Sequence, residues 1–287
     1  MTEPPREDQP TQHEHPPLRG AGGVHWALTK VPQIIVLFWA SKIVITAMGE
    51  ATSDYMNQAI GPAIAVPIML IGLYVALRLQ FRRDRYVAWN YWLVVVMIAV
   101  FGTSAADALH VGLGIAYPVS TAFYAVVLAC VFIAWYRSEG TLSIHSIYTP
   151  RRERYYWATV FATFALGTAG GDMTATAMHL GFFGSGLLFI GLILIPLIAW
   201  RLGLNSIVAF WFAYILTRPL GASFADWLDN TRHLSGLALG AGPVALGLSV
   251  ATVAFVAYLA HTRVDVKREP ALPGTPGMLV PDSAAGI

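Results

Sequence analysis

Four aspartates, Asp54, Asp107, Asp172 and Asp226, each close a stretch of otherwise apolar sequence, and each stands fifteen residues after a tryptophan. A carboxylate inside a membrane span is costly, so its default reading is functional. Carboxylates grouped with hydroxyls, carbonyls and water suit hard cations such as Mg²⁺, Ca²⁺ or Mn²⁺. A cleft lined by one sign of charge also concentrates counter-ions. Glu50 and Asp229 add two more acids beside the first and fourth aspartates. His110, three residues after Asp107, and His179, seven after Asp172, would tilt a metal preference toward Mn²⁺ or another transition metal. Protons and monovalent cations fit the same acids nearly as well. The competing reading makes each aspartate a helix cap or a headgroup-level acid, although a cap could equally be Ser, Thr or Asn.

The spacing is part of a longer pattern, W-x9-G-x4-D. It occurs as Trp39–Gly49–Asp54, Trp92–Gly102–Asp107, Trp157–Gly167–Asp172 and Trp211–Gly221–Asp226, with cores GEATSD, GTSAAD, GTAGGD and GASFAD. On a helix advancing about 100° per residue, offsets +7, +11, +15 and +18 fall on the face of the tryptophan. In the first copy that face carries Thr46, Glu50, Asp54 and Asn57; in the fourth, Arg218, Ala222, Asp226 and Asp229. Each stripe runs from an acid through small or hydroxyl groups to an aromatic plug. Ile43, Val96, Phe161 and Ile215 at +4 would form an apolar constriction below a carboxylate vestibule. The tryptophans suit packing or span anchoring ahead of gating, and the glycines suit close helix contact. Gly170 and Gly171 loosen the third copy and point to an unwound segment there. Two charges break the symmetry. Arg218 needs an intramembrane partner and is expected to pair with Glu50 or Asp54. Pro219 should kink its helix, unless neighbours satisfy the freed carbonyl. Lys42 could pair with the same acids, but is expected instead to snorkel toward the basic side.

These residues require membrane helices to position them. Of 287 residues, 56% are hydrophobic and 12% charged, too little charge for a soluble surface of this size. Eight apolar segments, near 31–53, 61–80, 87–107, 114–136, 155–175, 181–200, 204–226 and 242–261, are long enough to cross a bilayer as helices. All 18 basic residues except Lys42, Arg218 and Arg232 fall in the two tails and the even-numbered connections. By the positive-inside rule those parts are cytoplasmic and the acids face outward. The ends, 1–29 and 264–287, are polar and rich in Pro, without the apolar core of a cleavable signal, and read as disordered. His13 and His15 belong to such a tail, and the single cysteine, Cys130, excludes disulfides and cysteine metal clusters. No HExxH, GxSxG or Gly-rich phosphate loop is present, so an enzyme and a cofactor are not expected, nor is nucleic acid a partner.

With its four copies of the tryptophan pattern, the chain resembles the bacterial multi-spanning membrane proteins defined by a repeat of unknown function in four tandem copies. The resemblance covers about residues 30–262, where Trp39, Trp92, Trp157 and Trp211 match the tryptophan characteristic of each two-span copy. It implies an architecture and no established activity. Repeats 30–86, 87–143, 144–203 and 204–263 would share one orientation, related by an axis along the membrane normal. The expected fold is therefore an all-α integral membrane protein of eight helices, arranged as a pseudo-fourfold ring or nested pairs, in the cytoplasmic (inner) membrane. The expected function is cation transport through an outward ring of aspartates. A pseudo-tetrameric cation channel and a non-transporting sensor or assembly protein are the alternatives, with homo-oligomerisation left open.

Overall fold

The computed structural model describes residues 29–232 and 235–266. Among them are eight long helices and no strand: α1 Val36–Ile60, α2 Pro62–Phe81, α3 Ala88–Asp107, α4 Tyr117–Glu139, α5 Pro150–Asp172, α6 Gly181–Arg201, α7 Ser206–Asp229 and α8 Ala241–Thr262. Local signals explain several ends. Proline occupies the first turn of α2, α4 and α5, where a missing N–H costs nothing. Thr149 and Asn205 accept backbone N–H groups to cap α5 and α7, and Gly140 ends α4 in the left-handed conformation.

Six of these helices are long and apolar enough to cross a membrane. The other two, α1 and α5, have 25 and 23 residues, about 35 Å of helix each. Their charges set them apart: Lys42, Glu50 and Asp54 in α1, and the run Arg151–Arg154 with Asp172 in α5. The histidines at 13 and 15 and nearly all of both tails lie outside the described residues. Of residues 264–266, Val264 and Val266 are exposed and Asp265 is held against the helices. Asp265 is buried, accepts the Tyr86 hydroxyl at 2.5 Å and gives its carbonyl to Gln33 N–H. Burial raises its carboxyl above the usual carboxylate range.

The odd-numbered helices form the interior. α1 packs on α3, α3 on α5, α5 on α7, and α7 returns to α1. Only 22–28% of the most apolar stretch of α2, α4, α6 and α8 is buried, against 56% for α3 and 61% for α7. Each outer helix leans mainly on the motif helix of the next copy: α2 on α3, α4 on α5, α6 on α7, and α8 on α1. Every copy thus laps its neighbour, and the last laps the first.

The motif glycines explain how the inner helices come so close. A Cβ on Gly49 would overlap Ala99, one on Gly102 would meet Phe164 Cβ at 3.1 Å, one on Gly167 would overlap Arg218, and one on Gly221 would overlap Thr46. Each glycine therefore meets the +7 residue of the following inner helix, and the fourth meets that of the first. Small residues permit this backbone approach where bilayer lipid supplies no hydrophobic drive between helices.

At the basic end, aromatic residues fill the interior. Trp92, Trp157 and Trp211 are buried beside Tyr91, Tyr156 and Tyr214, while Trp39 is half-buried between Phe38 and Phe210. Lys30 pairs with buried Glu153 at 2.7 Å, and Gln80 donates to the same carboxylate at 3.0 Å.

Candidate functional site

Burial along the inner helices refines the helical stripe. The positions buried in all four copies include +3 (Lys42, Val95, Val160, Tyr214), +7 (Thr46, Ala99, Phe164, Arg218), +11 (Glu50, Thr103, Thr168, Ala222) and +14 (Ser53, Ala106, Gly171, Ala225), together with +6, +8, +10 and +12. These offsets span a broad arc of the wheel, from about 240° through the tryptophan to about 120°. The +4 residues Ile43, Val96, Phe161 and Ile215 are only half-buried and do not form the innermost layer. Asp54, Asp107 and Asp172 are half-buried and Asp226 is buried.

At the centre sits Arg218, with none of its surface exposed. Its Nη2 donates to Glu50 Oε2 at 2.5 Å, Thr103 Oγ1 at 2.5 Å and Thr168 Oγ1 at 2.7 Å. Thr103 also donates to Glu50 at 3.0 Å, and the Phe164 ring centroid lies 5.2 Å from Arg218 Cζ. One side chain of α7 therefore touches the other three inner helices, and the pairing with Glu50 expected from sequence is formed. Nε and Nη1 of the same guanidinium have no partner among the described residues. α7 runs on as helix through Pro219.

One turn toward the acidic end, Glu50, Asp54 and Asp226 each offer a carboxylate oxygen within 4.8 Å of the others. Asp54 is also within electrostatic reach of Asp107, Asp172 and Asp229, and Asp172 within reach of Asp107 and Glu50. The aspartates of all four copies thus share one region. Among the described residues no hydrogen bond reaches the carboxylates of Asp54, Asp107, Asp172 or Asp226. The following helices begin at Gly61, Ala116, Leu180 and Gly240 without a side-chain cap, so these acids do not serve as caps. Asp229 is half-buried and accepts from Asn230 at 3.1 Å.

The histidines stay apart from this group. His110 places Nδ1 2.7 Å from the Ile115 carbonyl and stacks on Tyr117, and His179 is exposed. Gly170 and Gly171 lie in continuous helix, not in an unwound segment. The departure comes just beyond them. Asp107 and Asp172 are each followed by a π-helical turn, Ala108–Gly112 and Met173–Ala177, a widening frequent at functional sites.

Lys42 does not snorkel. It is 1% exposed and donates to Thr217 Oγ1 at 2.5 Å and to the Tyr214 carbonyl at 3.0 Å. Its Nζ stands 3.9 Å from the Tyr214 ring centroid and 5.3 Å from that of Phe164. The reason is its offset: +3 from the tryptophan points inward, and the cation finds π faces and oxygens there without leaving the interior. Beyond it, Tyr91 and Tyr156 join their hydroxyls at 2.5 Å. Trp211 Nε1 donates to the Leu142 carbonyl at 2.9 Å, whereas Trp157 Nε1 has no partner among the described residues.

A separate groove of about 720 Å³ runs between α1, α6 and α7, lined by Ile43, Leu194, Trp200 and Phe210 among others. It is apolar and excludes the acids.

No curated protein and no solved structure matches the chain. A family model does, four times in succession, at residues 37–86, 90–141, 155–202 and 209–265, and its description is Repeat of Unknown Function (DUF347). Those four matches take in every tryptophan, glycine and aspartate of the pattern, and the chain belongs to that repeat family.

Proposed function

We propose that the protein is a membrane transporter for a cation, with Asp54, Asp107, Asp172, Asp226 and Glu50 as the entry site. In this reading all eight helices cross the bilayer, in pseudo-fourfold arrangement about its normal. The acids face outward and both termini face the cytoplasm of an inner membrane. Cyclic contact of each motif glycine with the next inner helix supports the arrangement, and the distribution of Lys and Arg supports the orientation.

The observation that carries the function is the state of the carboxylates. Acids of four copies lie within each other's fields, unbonded to the described residues, above a buried Arg218–Glu50 pair. Such a group attracts cations from solution. The deepest acid, Glu50, is already held by a tethered cation, so an entering solute must compete with Arg218 for it. Release of Arg218 then opens the ring, which in this structure is closed by side chains from all four inner helices. That closure favours a carrier over a permanently open channel. It also suits a non-transporting assembly protein, which would leave the carboxylates without a solute.

Flux separates the two. In proteoliposomes, with Mn²⁺ as probe and an organic guanidine beside it, the Asp107→Asn/Asp172→Asn double variant should lose at least tenfold of cation flux. Flux at the parent level would end the transport reading.

A further inference from the structure

Two positive side chains inside the ring show what the interior accommodates. The first pocket, occupied by Arg218, offers one carboxylate, two hydroxyls and one aromatic face: Glu50, Thr103, Thr168 and Phe164. The second, occupied by Lys42, offers a hydroxyl, a carbonyl and the Tyr214 ring. Neither holds the oxygen set of a hard divalent ion, which takes six or more oxygens and, for the smaller ions, dehydrates reluctantly. On the inner face below Glu50 the buried groups include Lys42, Phe164, the tyrosines and tryptophans of the aromatic layer and the hydroxyls of Thr46, Thr163 and Thr217, and the next buried carboxylate is Glu153 at the basic end. A metal ion would meet scattered hydroxyls in this layer but no carboxylate. A guanidinium is weakly hydrated and stacks on aromatic faces, and alkyl ammonium groups are held by the same faces.

Arg218 itself is held by one edge. Nη2 takes every oxygen, while Nε and Nη1, in a side chain with no exposed surface, have no partner among the described residues. A buried guanidinium left with unmade bonds is poorly secured relative to a bidentate pair. It is placed to give up Glu50 to a competitor of its own kind.

We infer that the solute of this site is a small organic cation with a guanidinium or primary ammonium head, for which Arg218 and Lys42 are built-in stand-ins. This rests on the transport reading above and narrows its substrate. A guanidinium enters over the aspartates, takes Glu50, Thr103 and Thr168 from Arg218, and meets the face of Phe164. A primary ammonium group is matched in the same way by the oxygens and ring around Lys42. No covalent step is involved.

The test is equilibrium binding to the purified full-length protein in detergent, at constant ionic strength, with agmatine, methylguanidinium, MnCl₂ and NaCl as probes. Agmatine and methylguanidinium should bind saturably, with affinity at least tenfold above that of Mn²⁺. Asp54→Asn should weaken agmatine at least tenfold, as should Thr103→Val, a substitution of similar volume that keeps the fold where Glu50→Gln would not. Binding of Mn²⁺ that depends on Asp54, with no saturable binding of the two organic cations, would overturn this inference and leave cation transport standing. Binding of none of the four probes would overturn both.

Discussion

Arg218→Gln should destabilise the protein by about 3–5 kcal/mol, the cost of removing one partner from a buried ion pair. Arg218 and Glu50 have 0% and 4% of their side-chain surface exposed, so no water screens the charge left behind. Three groups lose a partner at once, because the same Nη2 serves Glu50, Thr103 and Thr168. The loss also removes a side chain that links α7 to the other three inner helices. Reversible denaturation in detergent, followed by near-ultraviolet circular dichroism from the many buried aromatics, measures it. The double change Arg218→Met/Glu50→Leu should recover most of the stability, since two apolar side chains leave no buried charge. It should not recover binding. Arg232→Gln, at an exposed position, serves as the control and should change stability by less than about 0.5 kcal/mol.

Gly49→Val should be the more disruptive of the packing changes. The Cβ added at Gly49 meets not only Ala99 Cβ but also the Ala99 backbone, which cannot rotate away as a side-chain tip can. Overpacking of a dense interior costs about 1–3 kcal/mol, and more where backbone must move. Here α1 and α3 are adjacent members of a closed circuit, so parting them strains α8 and α2, which lie on α1 and α3. We expect a fall in folded yield of several-fold, read by size-exclusion chromatography, and loss of the Arg218–Glu50 layer. Gly112→Ala, where an added Cβ meets nothing within 4 Å, should elute as the parent does.

Much of this arrangement was legible in the residues. The W-x9-G-x4-D spacing marked the four inner helices, their glycines and their acids, because repeats force the same chemistry to the same depth. The Arg218–Glu50 pair was legible too, since an intramembrane cation has few acids within reach. Burial within the inward arc is less legible: Ile43, Val96, Phe161 and Ile215 at +4 are only half-buried, whereas +3 is buried in all four copies. Lys42, expected to snorkel, instead finds the Thr217 hydroxyl and the carbonyl and ring of Tyr214 in the interior, partners remote in sequence. The surroundings of His110 were not legible: it lies in the π-helical turn that follows Asp107, where its ring meets the Ile115 carbonyl and Tyr117. The order of Asp265 came from a partner remote in sequence, Tyr86, which composition alone cannot reveal.

The proposed function requires carboxylates from non-adjacent copies to line one water-filled space. In a Cys130→Ala background, cysteines placed in pairs at 54 and 172, and at 107 and 226, can be treated from outside sealed vesicles with a short bifunctional thiosulfonate. Cross-links within a single chain at both pairs, reduced by an excess of external agmatine, are the predicted result. Efficient labelling of every cysteine singly, with no cross-link at either pair, would contradict it.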